Sequence, residues 1–449
     1  MVISLISCNQ HSSKDQKNDQ DAQLAQQKSM HPEWSKNANI YEVNIRQYTP
    51  EGTFKAFETH LSRLQKMGVK ILWLMPVHPI GVKNRKGSMG SYYAVKDYKA
   101  VNPEFGTMDD FKSLVREAHN LGFKVIIDWV ANHSAWDNPW ITEHPEWYSK
   151  DSTGNMIAPF DWTDVADLNY DEPGLRDAMI DALKFWVKEA DIDGYRCDVA
   201  GMVPTDFWNR ARIELDSIKP VFMLAEAEQV DLHETAFDMT YAWELHHIYN
   251  SIAKGEKNVN SLEQYFSKMD TTYPNEAYRM NFITNHDENS WNGTIEERLG
   301  NGAETFAMLT YTLPGMPLLY SGQETGLDKR LRFFEKDTIE WDFNSPWMDF
   351  YTRMTSLKTQ NQALWNGTFG GAFERLATSD EENILVFKRV KAGNEILVLA
   401  NLSPDEHAFT INGEHPEGEF KNVLTGKEMP FEPEQKFNLG PWEYHILKK

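Results

Sequence analysis

The sequence predicts an α/β fold: a (β/α)8 barrel with a small insertion after its third strand, followed by a C-terminal antiparallel β-sandwich domain. Three observations predict it. Short β-branched apolar runs alternate with segments of helical period from Ile40 onward, the pattern of βα units on a parallel sheet. Eight such runs fall between Ile40 and Tyr320, the number that closes a barrel. From Phe369 the helical period gives way to alternating stretches broken by Gly, Asn, Pro and Asp. An open, doubly wound sheet is the competing arrangement.

In order, the runs read as strands are Ile40–Ile45, Val69–Met75, Lys124–Val130, Ile192–Arg196, Val221–Ala225, a weaker one near Phe237, Asn281–Thr284 and Pro317–Tyr320. Thr53 caps a helical stripe of Phe54, Phe57, Leu61 and Leu64 that Gly68 stops. Thr107 and Asp110 form a capping box before Phe111, Leu114, Val115 and Leu121, and Gly122 ends that helix. After the third strand, His133 to Tyr170 is rich in Trp, Pro and Asp and reads as an irregular inserted subdomain; Glu172–Ala190 then reads as helix. Asn383–Val390, Glu395–Leu399 and His407–Ile411 alternate as strands of the tail. The expected organisation is a leader and tether over 1–30, barrel over 31–132 and 172–368, insertion over 133–171 and β domain over 369–449.

Composition narrows the partners. The chain has 449 residues, 45 Lys and Arg against 67 Asp and Glu, a net charge of −22 and two cysteines. An acidic surface of this kind is repelled by phosphate backbones and anionic lipids, so no nucleic-acid partner is expected, and a neutral ligand fits better. The 15 Trp, 17 Tyr and 24 Phe can be core or can line a groove for a flat uncharged ligand. Met1 to Ser7 is a short apolar run without basic residues that reads as a shortened secretory signal, and Leu5-Ile6-Ser7-Cys8 resembles a bacterial lipobox. The polar stretch from Asn9 to Met30 reads as a disordered tether. The expectation is export, with membrane attachment only through lipid on Cys8, which leaves Cys197 as a lone thiol.

In a parallel barrel the residues ending each strand point into one shared mouth. The third strand ends in Asp128, with Asn132 and His133 just beyond; the fourth ends in Arg196-Cys197-Asp198, the fifth in Glu226 and the seventh in Asn285-His286-Asp287. A single acid after a strand is usually a helix cap or loop ion pair. Four converging on one mouth, with Arg196 two residues before Asp198 on the same face, suit acetal cleavage, which needs one ionised and one protonated carboxyl. Phosphoryl transfer would want a phosphate-cradling glycine loop; Gly81–Gly90 holds Lys83, Arg85 and Lys86 without that pattern and reads as a solvated turn. A zinc site lacks the His or Cys spacing it requires.

These segments resemble the motif set of the α-amylase family of retaining α-glycoside hydrolases: Asp-x-Val-x-Asn-His at 128–133, Gly-Tyr-Arg-x-Asp at 194–198, Glu226 and Asn-His-Asp at 285–287. Gly68 to Pro76, Tyr93 ahead of Asp97-Tyr98, Asp167-Leu168-Asn169 and Gly315 to Glu324 agree with it, so the resemblance runs over about residues 40–449. It implies Asp198 as nucleophile, Arg196 holding it ionised, and Glu226 as general acid and base, its pKa raised by surrounding negative charge. Glu228 is the rival acid. The resemblance also implies Asp287 on the sugar's 2- and 3-hydroxyls, His133 and His286 as hydrogen-bond donors, Tyr93 stacking under the ring and Asp128 bracing Arg196. The implied substrate is a starch-derived α-glucan or malto-oligosaccharide, with no cofactor required.

Departures from the family leave details open. Val199-Ala200-Gly201-Met202 stands where many amylases have Lys-His, which supplies a calcium-binding carbonyl, although Asn132 and Asp167 sit where side-chain calcium ligands often stand. Structural calcium and the metal question stay undecided. Val199 and Asp167-Leu168-Asn169 are reminiscent of members acting on short or α-1,6-linked glucosides. Two alternatives remain: a transglycosylase or isomerase of the same family, and a non-catalytic glucan-binding lipoprotein, against which the intact Asp198, Glu226 and Asp287 argue. The short insertion fits either an open cleft or a pocket closed by neighbouring loops, and the oligomeric state is unknown.

Overall fold

The computed structural model describes residues 31–449 apart from 414, 415, 417 and 433; the leader, Cys8 and the tether lie outside the described residues. Numbered in chain order, the strands are β1 (Ile40–Val43), β2 (Ile71–Leu74), β3 (Lys124–Trp129), then β4 (His133–Ala135) and β5 (Val165–Asp167) in the insertion, followed by β6 (Gly194–Cys197), β7 (Phe222–Ala225), β8 (Met239–Tyr241), β9 (Tyr278–Asn281) and β10 (Met316–Tyr320). The barrel closes in the order β1-β2-β3-β6-β7-β8-β9-β10, with β10 paired back to β1 and every neighbour parallel. β4 and β5 pair antiparallel beside it.

Strand side chains alternate, so every second residue fills the barrel. Ile40, Ile71, Ile126, Phe222, Met239, Tyr278 and Met316 belong to one interior cluster, distinct from the larger core between strands and helices. Two residues further along β1, β3 and β6, the same alternation turns Glu42, Asp128 and Arg196 inward, all fully buried. The interior is thus apolar below and ionic directly under the mouth. At the start of β6 only glycine fits: Gly194 has φ +152°, and a Cβ there would lie 1.9 Å from the Phe222 carbonyl oxygen.

The helix ends follow the sequence signals. Thr53 accepts from the Ala56 N–H, and Thr107 and Asp110 form the capping box of helix Met108–Asn120. The stripe before Gly68 is two short helices, Phe54–Glu58 and Leu61–Met67, and Gly68 closes the second with φ +88°. Helix Pro173–Ala190 leads into β6. One strand differs from its expected place: β9 is Tyr278–Asn281, not Asn281–Thr284. Tyr278 and Met280 fill the interior, while Arg279 reaches outward to Glu228 (2.7 Å). The apolar pair Phe282-Ile283 instead belongs to the buried turn beyond the strand, where Arg298 donates to the Ile283 carbonyl (2.8 Å). Among the described residues no helix is long and apolar enough to cross a membrane.

The tail contains β11 (Glu374–Arg375), β12 (Ile384–Lys391), β13 (Asn394–Asn401), β14 (His407–Thr410), β15 (Glu419–Asn422), β16 (Glu428–Pro430), β17 (Lys436–Leu439) and β18 (Tyr444–Lys448). Six of these form an antiparallel sheet in the order β11-β12-β13-β18-β15-β16, and β14 pairs with β17 over a core that includes Val386, Leu399 and Phe409. Buried Arg389 of β12 ties this domain to the barrel. It donates to the carbonyls of Thr312 and Leu313 (both 3.1 Å), Trp365 (3.2 Å) and Gly371 (2.9 Å), the first two at the end of helix Ala303–Thr312. Helix ends leave such carbonyls without intrahelical partners.

Candidate active site

All eight residues singled out in the sequence meet at the carboxyl ends of the barrel strands. Tyr93, His133, Asp198, Glu226, His286 and Asp287 line one cavity of about 410 Å3. Asp128 and Arg196 lie beneath its floor, fully buried. Glu228 is not among the lining residues; it pairs with Arg279 (2.7 Å) on the outer side of the barrel wall.

Arg196 is the hub. Its Nη1 donates to Asp128 Oδ1 (2.8 Å) and Asp198 Oδ1 (2.9 Å), and its Nε donates to the Tyr241 hydroxyl (3.1 Å). Nη2 lies 2.8 Å from Glu226 Oε2, an ion-pair contact off the hydrogen-bond line. Trp73 lies against one face of the guanidinium at 5.1 Å and donates from Nε1 to Asp128 Oδ2 (3.2 Å). One rigid cation therefore fixes three carboxylates.

A second chain of contacts starts at Glu42. Tyr93 donates to Asp128 Oδ2 (3.0 Å), which commits its only proton, so His286 Nε2 donates to the Tyr93 oxygen (2.8 Å). His286 Nδ1 donates in turn to Glu42 Oε1 (2.5 Å). Both ring nitrogens carry hydrogen, and the imidazole is cationic: burial lowers its pKa, but Asp287 and Glu42 outweigh that and push it up to about 9. The Tyr93 ring stacks on that of His286, with centroids 5.5 Å apart and planes 22° apart.

Five carboxyls (Glu42, Asp128, Asp198, Glu226, Asp287) thus face two cations, Arg196 and His286. Burial drives the Asp198 pKa well above the usual carboxylate range; Arg196 opposes this, while Glu226, Asp128 and Asp287 add to it. Asp287 moves the same way, through desolvation in the cavity and the charge of Glu226, against His286. Arg196 favours the ionised form of Asp198, as expected from the sequence, and divides its charge among three acids.

Val199, directly after Asp198, has φ +36° and ψ +43°, a left-handed conformation that β-branched side chains avoid. This turn aims the Val199 N–H at Glu226 Oε2 (2.8 Å). With Oε2 held by that donor and faced by Arg196, Oε1 is the Glu226 oxygen left to carry a proton.

Several residues of the site were not read from the sequence. Glu42 and Tyr241 sit inside apolar strand runs, and their partners are hundreds or tens of residues away. Trp291, Phe333 and Phe334 line the cavity from the loops after β9 and β10, with Trp291 53% exposed at the rim. Lys86 departs from the expected solvated turn: it lines the cavity and pairs with Asp164 (3.1 Å). The Asn132 amide lies against His133 Nδ1 (3.2 Å), and Asp167 stands opposite His133 in the β4–β5 pair. Among the described residues no group of three or more His, Cys, Asp or Glu could hold a metal ion.

This geometry has counterparts. The sequence matches the family described as Alpha amylase, catalytic domain, over residues 11–164 and 143–366, and Maltogenic Amylase, C-terminal domain, over 373–446. Among solved structures it is similar to a noncanonic maltogenic α-amylase from Thermotoga neapolitana, at 30% identity and a TM-score of 0.84 over 92% of this chain and 98% of that one. It is also similar to an α-amylase from Lactobacillus plantarum, at 29% identity and a TM-score of 0.82 over 93% and 99%. Among curated proteins, α-amylase 3 of Dictyoglomus thermophilum is 27% identical over 92% of this chain and 94% of its own length. Barrel, β domain, catalytic-type acids and sequence agree: the chain belongs to the α-amylase family of glycoside hydrolases.

Proposed function

We propose that the chain hydrolyses α-glucosidic bonds of starch-derived glucans or malto-oligosaccharides by double displacement with retention. The observation that carries the reading is the shared guanidinium: Arg196 holds Asp198 and Glu226 through its two terminal nitrogens. The two acids face the same cavity from adjacent strands, Asp198 after β6 and Glu226 after β7, the arrangement in which one attacks the anomeric carbon and the other protonates the leaving oxygen.

In the first step Glu226 Oε1 gives its proton to the glycosidic oxygen while an Asp198 oxygen attacks the anomeric carbon. The carbon–oxygen bond to the leaving sugar breaks and a glycosyl ester forms. In the second step Glu226, now ionised, takes a proton from water; the hydroxide adds to the anomeric carbon and Asp198 departs as carboxylate. Asp287 binds the 2- and 3-hydroxyls, Tyr93 stacks under the ring and His133 donates to the sugar, while His286 keeps Nδ1–H on Glu42 and turns its Nε2–H from the Tyr93 oxygen to the sugar. Asp128 positions Arg196. The chemistry uses carboxyls and water alone, and no step passes through a cation.

A 5-fluoro-α-glucosyl fluoride tests the reading. Mass spectrometry of the digested protein is expected to find the sugar on the peptide containing Asp198; label on another acid, or none with turnover intact, overturns the assignment. Transfer to a sugar acceptor is the alternative outcome, read from the ratio of transfer to hydrolysis products, and parallel digests of starch, pullulan, maltotriose and isomalto-oligosaccharides give the linkage. Export and lipid attachment at Cys8 belong to the same proposal, supported by Leu5-Ile6-Ser7-Cys8. Palmitate incorporation that is lost in Cys8→Ser is the expected result.

A further inference from the structure

We infer that an ion-pair bridge, Lys86 to Asp164, closes the cleft on the side away from the leaving group and makes the enzyme act from the non-reducing ends of short chains. The inference rests on the glycosidase reading above, because Glu226 defines where the leaving group exits.

The strand order sets the geometry. Counting round the barrel, β7, which carries Glu226, stands four strands from β1 in either direction and so faces it across the mouth. The strands flanking β1 are β2 and β10. The loop after β2 carries Lys86 and the loop after β10 carries Phe333 and Phe334. A sugar chain seated at Asp198 with its leaving group toward Glu226 therefore directs its other end at these two loops.

That end is walled. Lys86 reaches to Asp164 of the insertion (3.1 Å), tying together the segments that follow the neighbouring strands β2 and β3, both of which line the cavity. The Lys86 loop is braced so that it does not swing away. Arg46 donates to the carbonyls of Gly90 (3.0 Å) and Met89 (3.2 Å), the Met89 N–H donates to the Phe334 carbonyl (3.0 Å), and the Ser88 N–H donates to Glu335 Oε1 (2.9 Å). Gly87, at φ +62°, passes so near Phe334 that a Cβ would lie 2.5 Å from that side chain's own Cβ. The walls continue through Phe333, which stacks on Tyr93 at 6.2 Å and meets Trp291 at 5.3 Å. The cavity of about 410 Å3 lies within the range of small-ligand sites.

The pair is removable. The Lys86 side chain is about one-third exposed but Asp164 is buried, so Lys86→Ala leaves that carboxylate without its lysine and Asp164→Asn is the milder control; melting temperatures are compared alongside the rates. Lys86→Ala opens the bridge, and Asp164→Asn keeps the bulk while removing one charge. Each is assayed against the wild type on maltoheptaose and on maltoheptaose blocked at its non-reducing end by a 4,6-benzylidene group. The readout is the ratio of the two rates within each protein, so that a general loss of activity cancels. The wild type is expected to cleave the blocked chain at least tenfold more slowly, and Lys86→Ala to bring the ratio to within about threefold of one, with Asp164→Asn between them. Equal rates in the wild type, or a ratio that Lys86→Ala leaves unchanged, overturns the bridge while leaving the glycosidase reading intact. A wild type that cleaves neither these chains nor p-nitrophenyl maltoside overturns the glycosidase reading itself, and the bridge with it.

Discussion

Glu42 on β1 and His286 beyond β9 are separated by 244 residues in the chain and by 2.5 Å in space, both buried beneath the mouth of the barrel. Glu42 accepts from His286 Nδ1, leaving Nε2 to donate toward Tyr93. The charge on the imidazole is thus held from two sides, by Asp287 in the cavity and by Glu42 beneath it, which does not line the cavity.

Glu42→Gln keeps an oxygen acceptor and removes the charge. The His286 pKa, about 9 against an unfolded value of 6.5, is expected to fall, and the alkaline limb of the kcat/KM profile moves acidward with it. The sign for stability follows. A pKa raised on folding contributes stability that is fully present below about pH 6.5 and lost as pH rises through 9, so denaturant midpoints of the wild type decline over that window and those of Glu42→Gln decline less. Identical pH–rate profiles would contradict this.

Asp198→Asn keeps the shape of the nucleophile and loses its charge. Turnover is expected to drop by ~10⁴-fold or more, while maltoheptaose binding measured by calorimetry persists. Retained hydrolysis would remove Asp198 from the reaction.

Arg196→Met leaves Asp128, Asp198 and Glu226 facing one another under the mouth with no cation between them. Breaking a buried ion network by removing one partner costs about 3–5 kcal/mol, readable as a lower urea midpoint at pH 7.

Val199→Gly relieves the left-handed strain, worth ~1–3 kcal/mol, against the greater chain entropy of glycine, about 0.5–1 kcal/mol. A slightly higher melting temperature is expected together with a lower kcat, because the N–H that steadies Glu226 is then held less firmly.

Trp291→Ala removes an exposed aromatic from the rim of the cavity. KM is expected to rise ~3–10-fold with kcat and melting temperature near wild type, the range for loss of one aromatic contact, and an unchanged KM would remove Trp291 from substrate binding.

The barrel was legible because its strand ends are chemically distinctive. Asp128, Asp198, Glu226 and Asp287 each follow a run too apolar to be surface, and the topology then gathers them without further information. β9 shifted because the apolar pair Phe282-Ile283 lies just past the ladder: Phe282 still packs in the barrel interior and Ile283 in the outer core, but the strand pairing ends at Asn281. Glu42 was hidden by alternation: within Ile40-Tyr41-Glu42-Val43 a single acid reads as the solvent face of a strand, and only closure of the barrel turns that face inward. The walls of the cleft were illegible for a related reason. Lys86, Asp164, Phe333 and Trp291 come from four segments whose approach depends on loop geometry, and loop geometry leaves no periodic trace.

The four carbonyls gathered by Arg389 carry a consequence for how this protein can be divided. Two of them close the helix that feeds β10, and β10 zips the barrel shut against β1. Cutting the chain near residue 369 would therefore do more than shed an appendage: it would strip the final stave of its clamp and expose the seam at which the cylinder closes. Catalytic half and terminal half should melt in one calorimetric transition, and a minimal enzyme carved from this protein has to keep its last eighty or so residues.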